Sequence, residues 1–222
     1  MSDTKGLATT LDFLRKLREH NDRGWFLANR ARYEEARAAY ETVVAELVSR
    51  FDAVDGIGCA APKDCMFRIN RDVRFSADKS PYKTGMGALL GPAGRKSSVR
   101  AYYFHVEPDG ESMLAGGLYA PSASELAKVR AAIGEDAGPL EKIIGAAGFK
   151  RLFGGISGDS LKTAPQGYPR DHSAIELLRK KQFIAIHALS DADVVSPGLV
   201  PEALKTFKAM RPFLEYLEAI LA

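Results

Sequence analysis

The apolar residues of this 222-residue chain switch between two periods. They follow a helical period at both ends and a period of two in the middle. The two patterns bury differently shaped surfaces, a stripe in one case and a sheet face in the other. In "TTLDFLRKLREH", Leu11, Leu14 and Leu17 recur at spacings of three, and Thr9 or Thr10 is placed to cap an amphipathic helix. "NDRGWFLANRARYEEARAAYETVVAELVSRF" reads as a second, longer helix, capped by Asn21 or Asp22, with Trp25, Phe26, Tyr33, Tyr40, Val44, Leu47 and Phe51 along one stripe. "VDGIGCAAPKD" reads as a loop. Residues 66–75 then alternate: Phe67, Ile69, Val73 and Phe75 face one way, and Arg68, Asn70, Asp72 and Arg74 the other. "GMGALLGPAGRKSS" reads as a glycine-rich connection. Beyond it, "VRAYYFHVE" and "SMLAGGLY" flank an Asp-Gly turn and predict a hairpin. "SASELAKVRAAIGED", capped by Ser122 or Ser124, and "AGPLEKIIGAAGFKRLF" predict helices; "SAIELLRKK" predicts a short one, "QFIAIHAL" a strand, and residues 200–221 a final helix. Strands grouped between helical ends predict a single α+β domain with a mostly antiparallel mid-chain sheet, rather than a doubly wound fold.

Charge narrows the function classes. Residues 68–100 hold eight Lys and Arg against Asp72 and Asp78, a balance of +6, whereas the remaining 23 bases and 26 acids balance at −3. One basic block in an otherwise near-neutral chain is the footprint expected for an anionic partner. No apolar run approaches the roughly 20 residues that span a bilayer. The N-terminal stretch also lacks the apolar core, roughly 7–15 residues, of a secretory signal. A soluble, cytoplasmic protein with no membrane partner is expected. Cys59 and Cys65 fit neither a zinc knuckle nor, in a reducing compartment, a disulfide. The four histidines show no short metal-ligand spacing, so neither metal nor cofactor is expected.

The block itself supplies the candidate ligand-binding residues. Arg68 and Arg74 flank Asp72 on the polar side of the alternating run, where two guanidiniums can clamp a phosphate or carboxylate bidentately. Arg71 points with the apolar set, and a guanidinium is almost never buried without a partner. In "SADKSPYKT", Ser76, Tyr82 and Thr84 add hydroxyls beside Lys79 and Lys83, the ingredients of an oxyanion site. Neither a P-loop nor GxGxxG spacing is present, and no nucleophile elbow appears. In "APQGYPRDH", Tyr168 precedes the pair Asp171–His172, which suits either acid–base work or the capping of the following helix. His105 and His187 sit in apolar β runs and read as core residues, and Trp25–Phe26 reads as core.

Three stretches together, "FRINRDVRFSADKSPYKT", "YYFHVEPDGESMLAGGLYAP" and "GYPRDHSAIELLRKK", resemble the domain of unknown function family 2461, and "NDRGWFLANRARYEEA" fits it too. The resemblance implies a single α+β domain and carries no established activity. It singles out Arg68, Arg71, Asp72, Arg74, Ser76, Lys79, Pro81, Tyr82, Lys83 and Thr84, then Gly116, Gly117 and Tyr119, then Gly167, Tyr168, Asp171 and His172. Members tend to carry a third glycine where this chain has Ala115, and Pro where it has Ser173. Three readings stay open. The first is a cleft for a phosphorylated or otherwise anionic small molecule, with Asp72 or Asp171–His172 as acid–base groups if it is an enzyme. The second is a nucleic-acid-binding module that stacks bases on Tyr82, Tyr102 and Tyr103. The third is a structural Arg/Asp network in a protein-interaction domain.

Overall fold

A computed structural model describes residues 4–55, 58–97 and 101–222; Gly56, Ile57, Ser98, Val99 and Arg100, which belong to the stretches read above as loop, connection and strand, lie outside them. The fold is α+β, with ten helices among the described residues and a four-stranded antiparallel sheet in the order β1-β2-β3-β4. The helices are α1 (Gly6–Glu19), α2 (Arg23–Ala28), α3 (Arg30–Asp55), α4 (Pro62–Cys65), α5 (Ala123–Glu135), α6 (Gly138–Gly145), α7 (Ala147–Phe153), α8 (Ile175–Leu178), α9 (Asp191–Val194) and α10 (Leu199–Leu221). The strands are β1 (Met86–Leu90), β2 (Tyr102–Val106), β3 (Ser112–Leu118) and β4 (Phe183–Leu189). No described helix is long and apolar enough to cross a membrane.

The chain forms two compact units. The first comprises residues 1–97, 103–114 and 188–205. Its base is the pair α1 and α3. Leu7, Leu11, Leu14 and Leu17 are fully or almost fully buried, as are Ala36, Tyr40, Val44, Leu47 and Phe51. The two helices approach closely at Gly6, where a side chain would meet Ala39 Cβ at 3.0 Å. Thr10 is not a cap: α1 begins four residues earlier, and the Thr10 hydroxyl donates to Ala36 O at 2.9 Å. Asp22 does cap, accepting from Trp25 N at 2.9 Å. The single long helix expected after it is broken at Asn29, whose side chain donates back to Trp25 O (2.9 Å) and ends α2. Tyr40 joins α3 to the sheet by stacking on Phe104 at 5.4 Å and donating to Phe104 O at 2.9 Å.

Two expectations from local pattern do not survive. Residues 66–75 do not form a strand; they make only the isolated bridges Met66↔Ala88 and Asn70↔Tyr82. Of the alternating apolar set only Ile69 is buried, and Phe75 is 97% exposed, so no sheet face is there to be covered. The supposed connection "GMGALL" instead supplies β1, whose residues are nearly all buried. The hairpin of β2 and β3 is as expected, with Asp109 and Gly110 both at positive φ in its turn.

The second unit comprises residues 98–102, 115–187 and 206–222. Ser122 and Glu125 form a reciprocal capping box on α5. The helix expected over "AGPLEKIIGAAGFKRLF" divides into α6 and α7 at Ala146. Phe149 packs edge-on to Phe213 of α10 at 5.7 Å. Arg130 of α5 donates to the carbonyls of Leu178 and Lys180 at 2.9 and 3.1 Å, tying down the end of α8.

Candidate functional site

The first unit holds a cleft of about 560 Å³. One wall is the solvent-side face of β2. Because side chains alternate along a strand, burial of Tyr102, Phe104 and Val106 turns Tyr103, His105 and Glu107 to the other face, where all three line the cleft. These three form a continuous chain. Tyr103 Oη lies 2.9 Å from His105 Nδ1, and His105 Nε2 lies 2.9 Å from Glu107 Oε2. Glu107 Oε1 accepts from the Thr84 hydroxyl at 2.6 Å and from Arg18 Nη2 at 3.1 Å. The hydrogen bond from His105, then that from Thr84, with the charges of His105 and Arg18 behind them, hold the Glu107 carboxyl down to about 2 against the opposing effect of burial. A carboxylate is therefore present throughout the neutral range.

The neighbouring strand makes room for this chain by carrying no side chain. A Cβ at Gly85 would lie 2.6 Å from His105 Cε1 and 3.0 Å from Glu107 Oε2, and one at Gly87 would lie 2.9 Å from the Tyr103 ring. The glycines that suggest a linker are thus fitted to an imidazole and a phenol.

A second part of the lining comes from the basic block. Its backbone runs beside β1 and its approach: Phe67 N donates to Gly87 O (2.9 Å), Lys83 N to Ile69 O (2.8 Å) and Arg71 N to Pro81 O (2.9 Å). Asn21, between α1 and α2, clamps Tyr82 through both of its backbone groups, at 3.0 and 3.1 Å. The Tyr82 ring is buried and stacks on Phe26 at 4.0 Å. These anchors present Arg71, Lys83 and Thr84 to the cleft. Arg71 pairs with Asp78 and also donates to Ser80 O and Ser76 Oγ, both at 3.3 Å. Ser80 in turn donates to Asp78 through its hydroxyl (2.7 Å) and its backbone (2.9 Å); with Arg71 these bonds bring the Asp78 carboxyl to about 2. Lys83 differs. Its ammonium lies 5.3 Å from the centre of the Phe67 ring, and no carboxylate pairs with it among the described residues. Burial, with the nearby Arg68 charge, lowers its pKa below the ordinary lysine value.

Of the residues singled out in the sequence, Arg71, Tyr82, Lys83 and Thr84 line the cleft, with Ser76 bonded behind Arg71. Arg74 lies outside it, exposed and closed bidentately on Asp72 at 2.9 and 2.7 Å. That pair occupies the carboxylate expected to serve as acid–base group. Lys79 is spent on Val73 O at 3.0 Å. Arg68 is exposed. The other candidates belong to the second unit, and the cleft of the first is built without them. Gly116 and Gly117 are packing positions. A Cβ at Gly117, where φ is +121°, would overlap the Phe183 carbonyl, and one at Gly116 would press on Met210 Sδ. Tyr119 is 74% exposed. Tyr168 packs over Gly134 and edge-on to His172 at 6.3 Å. Asp171 does not cap α8; His172 accepts from Ala174 N at 3.1 Å instead.

The sequence pattern offers Tyr103 only as a base-stacking surface, gives His105 as a core residue and passes over Glu107. The signal lies in the alternation of His105 and Glu107 with the apolar Phe104 and Val106. Arg18 and Asn21 are also silent in the sequence, since no local pattern joins them to a segment some sixty residues away. Among the described residues no cluster of three His, Cys, Asp or Glu could hold a metal ion.

The fold and the cleft define an α+β protein with a cationic pocket backed by a Tyr-His-Glu hydrogen-bond chain. The sequence matches the family of conserved hypothetical proteins DUF2461 over residues 9–216, and the chain belongs to that family. No curated protein and no solved structure matches it.

Proposed function

We propose that the cleft of the first unit binds a small anionic molecule bearing a phosphate or carboxylate. The observation that carries this is Lys83, a half-buried ammonium in the cleft that faces an aromatic ring and pairs with no carboxylate among the described residues. A cation held that way loses hydration and regains little, so a ligand anion supplies the missing partner. Three lining cations, Arg18, Arg71 and Lys83, against two lining carboxylates, Asp78 and Glu107, leave the cleft one positive charge in excess. Its volume suits a small molecule. The pairing of Arg71 with Asp78 and of Arg74 with Asp72 supports a structural role for those two arginines, but that account does not extend to Lys83. Of the three tyrosines in the nucleic-acid reading, Tyr82 and Tyr102 are buried, which leaves Tyr103 alone as a stacking surface.

The test is a thermal-shift titration with inorganic phosphate and with acetate at low ionic strength, on the native protein and on Lys83→Met. A ligand at about 100 times its dissociation constant stabilises by about 2.7 kcal/mol. A saturable shift that disappears in Lys83→Met is expected. A shift of equal size in both proteins would remove the proposal.

A further inference from the structure

We infer that the cleft is catalytic and that Tyr103 Oη is its proton-transferring atom, with His105 and Glu107 as positioning residues behind it. The inference rests on reading the cleft as an anion site, and extends it from binding to chemistry. An ionised carboxylate can only accept, so Glu107 requires the proton of His105 to sit on Nε2. In the neutral form of the ring the lone pair then lies at Nδ1, the atom 2.9 Å from Tyr103 Oη. The phenol therefore points its O–H at a base. When that proton moves to Nδ1, the imidazolium formed stays against Glu107, which Thr84 and Arg18 hold from two other segments. A hydrogen-bond chain sealed in the core could not meet a substrate. This one forms the wall of a cleft, with Lys83, Arg71 and Asp78 as the other charged groups lining it.

The substrate class is a small anion that meets Lys83 through its charge and carries an ionisable C–H or O–H. In the step, the substrate proton passes to Oη while the phenol's own proton passes to Nδ1. The substrate gains one negative charge beside Lys83, and His105 gains one positive charge beside Glu107. Reversal returns the proton to the same or a neighbouring atom, so no oxidant, reductant or further reactant is needed.

The experiment uses two sulfonyl fluorides, 4-(fluorosulfonyl)benzoate, which is an anion, and neutral benzenesulfonyl fluoride. On labelling, the Oη–S bond forms, the S–F bond breaks, fluoride leaves, and the phenolic proton passes to His105 and then to solvent. Peptide mass spectrometry gives the rate at Tyr103 relative to exposed Tyr119 in the same sample. Tyr103 is expected to react roughly tenfold or more faster than Tyr119 with the neutral probe, and faster again with the carboxylate. His105→Ala should bring Tyr103 down to the Tyr119 rate, and added imidazole should restore it, which a purely structural role would not allow. Glu107→Gln provides a second variant should His105→Ala fail to fold. A Tyr103 rate no higher than that of Tyr119, or one unchanged in both variants, would overturn the relay. If Tyr103 reacts fast but the carboxylate has no advantage and Lys83→Met changes nothing, the relay stands and the anion reading falls. If phosphate binding depends on Lys83 while Tyr103 is slow, the anion reading stands alone.

Discussion

Replacing Glu107 by Gln should cost stability in a way that depends on pH, and the size of the effect follows from the geometry. The carboxyl moves from an ordinary 4.5 to about 2 in the fold, chiefly through the His105 hydrogen bond and then the Thr84 one. At about 1.36 kcal/mol per unit, that displacement corresponds to about 3 kcal/mol of stability at neutral pH. The side chain is only 22% exposed, so solvent screens little of it. Glutamine keeps an accepting oxygen but loses the charge, so a loss of about 1–3 kcal/mol is expected. The sign is fixed because the folded state holds its proton less tightly than the unfolded chain. The contribution is complete above the unfolded value, near 4.5, and is lost as pH falls toward 2. Urea unfolding of both proteins followed by circular dichroism between pH 3 and 7 measures the difference. It should be flat above about pH 5 and shrink steadily below. A difference that stays constant over the whole range would show that the loss is one of packing and would refute the electrostatic reasoning.

Lys83→Met should leave the protein at least as stable as the native form at pH 7. Burial disfavours the ammonium in the fold, and the native protein should recover this penalty as pH rises through the lowered lysine value, as chemical denaturation on an alkaline series would show. Gly117→Ala should cost about 2 kcal/mol or more, through the positive φ and the overlap with Phe183 O, without changing phosphate affinity; weakened binding in a folded variant would return this glycine to the ligand site. Asp22→Ala should cost about 1 kcal/mol as a lost cap, read from the urea midpoint. Phe75→Ala, at a side chain 97% exposed, should leave the melting temperature within error.

The helical ends are readable from the sequence because their period is long and their stripes really are buried: Leu11, Leu14 and Leu17 pack as the spacing implies. The break at Asn29 is not readable, since the apolar period runs through it and a single side-chain amide ends α2. Residues 66–75 mislead because alternation signals a strand only where one face is covered. Here Asp72, Asp78 and Ser80 bond locally and close the segment on itself. The charge block directs attention to Arg71, Tyr82, Lys83 and Thr84, four residues that line the cleft. The other wall of the cleft is hidden for a different reason. The role of Gly85 is set by His105 and that of Gly87 by Tyr103, across a strand pairing that no local window contains.

Those two glycines change what a saturation mutagenesis map of this protein would look like. Neither carries a side chain that could touch a ligand, yet each gives up the volume of one to Tyr103 or His105. Even alanine at either position would have to displace an imidazole or a phenol. Such a map would mark Gly85 and Gly87 as sharply as Tyr103 and His105, the residues whose space they leave open. Read residue by residue, it would place two sites of intolerance on β1 and its approach at positions that carry no side chain. Read as pairs across the sheet, it would trace the outline of the cleft.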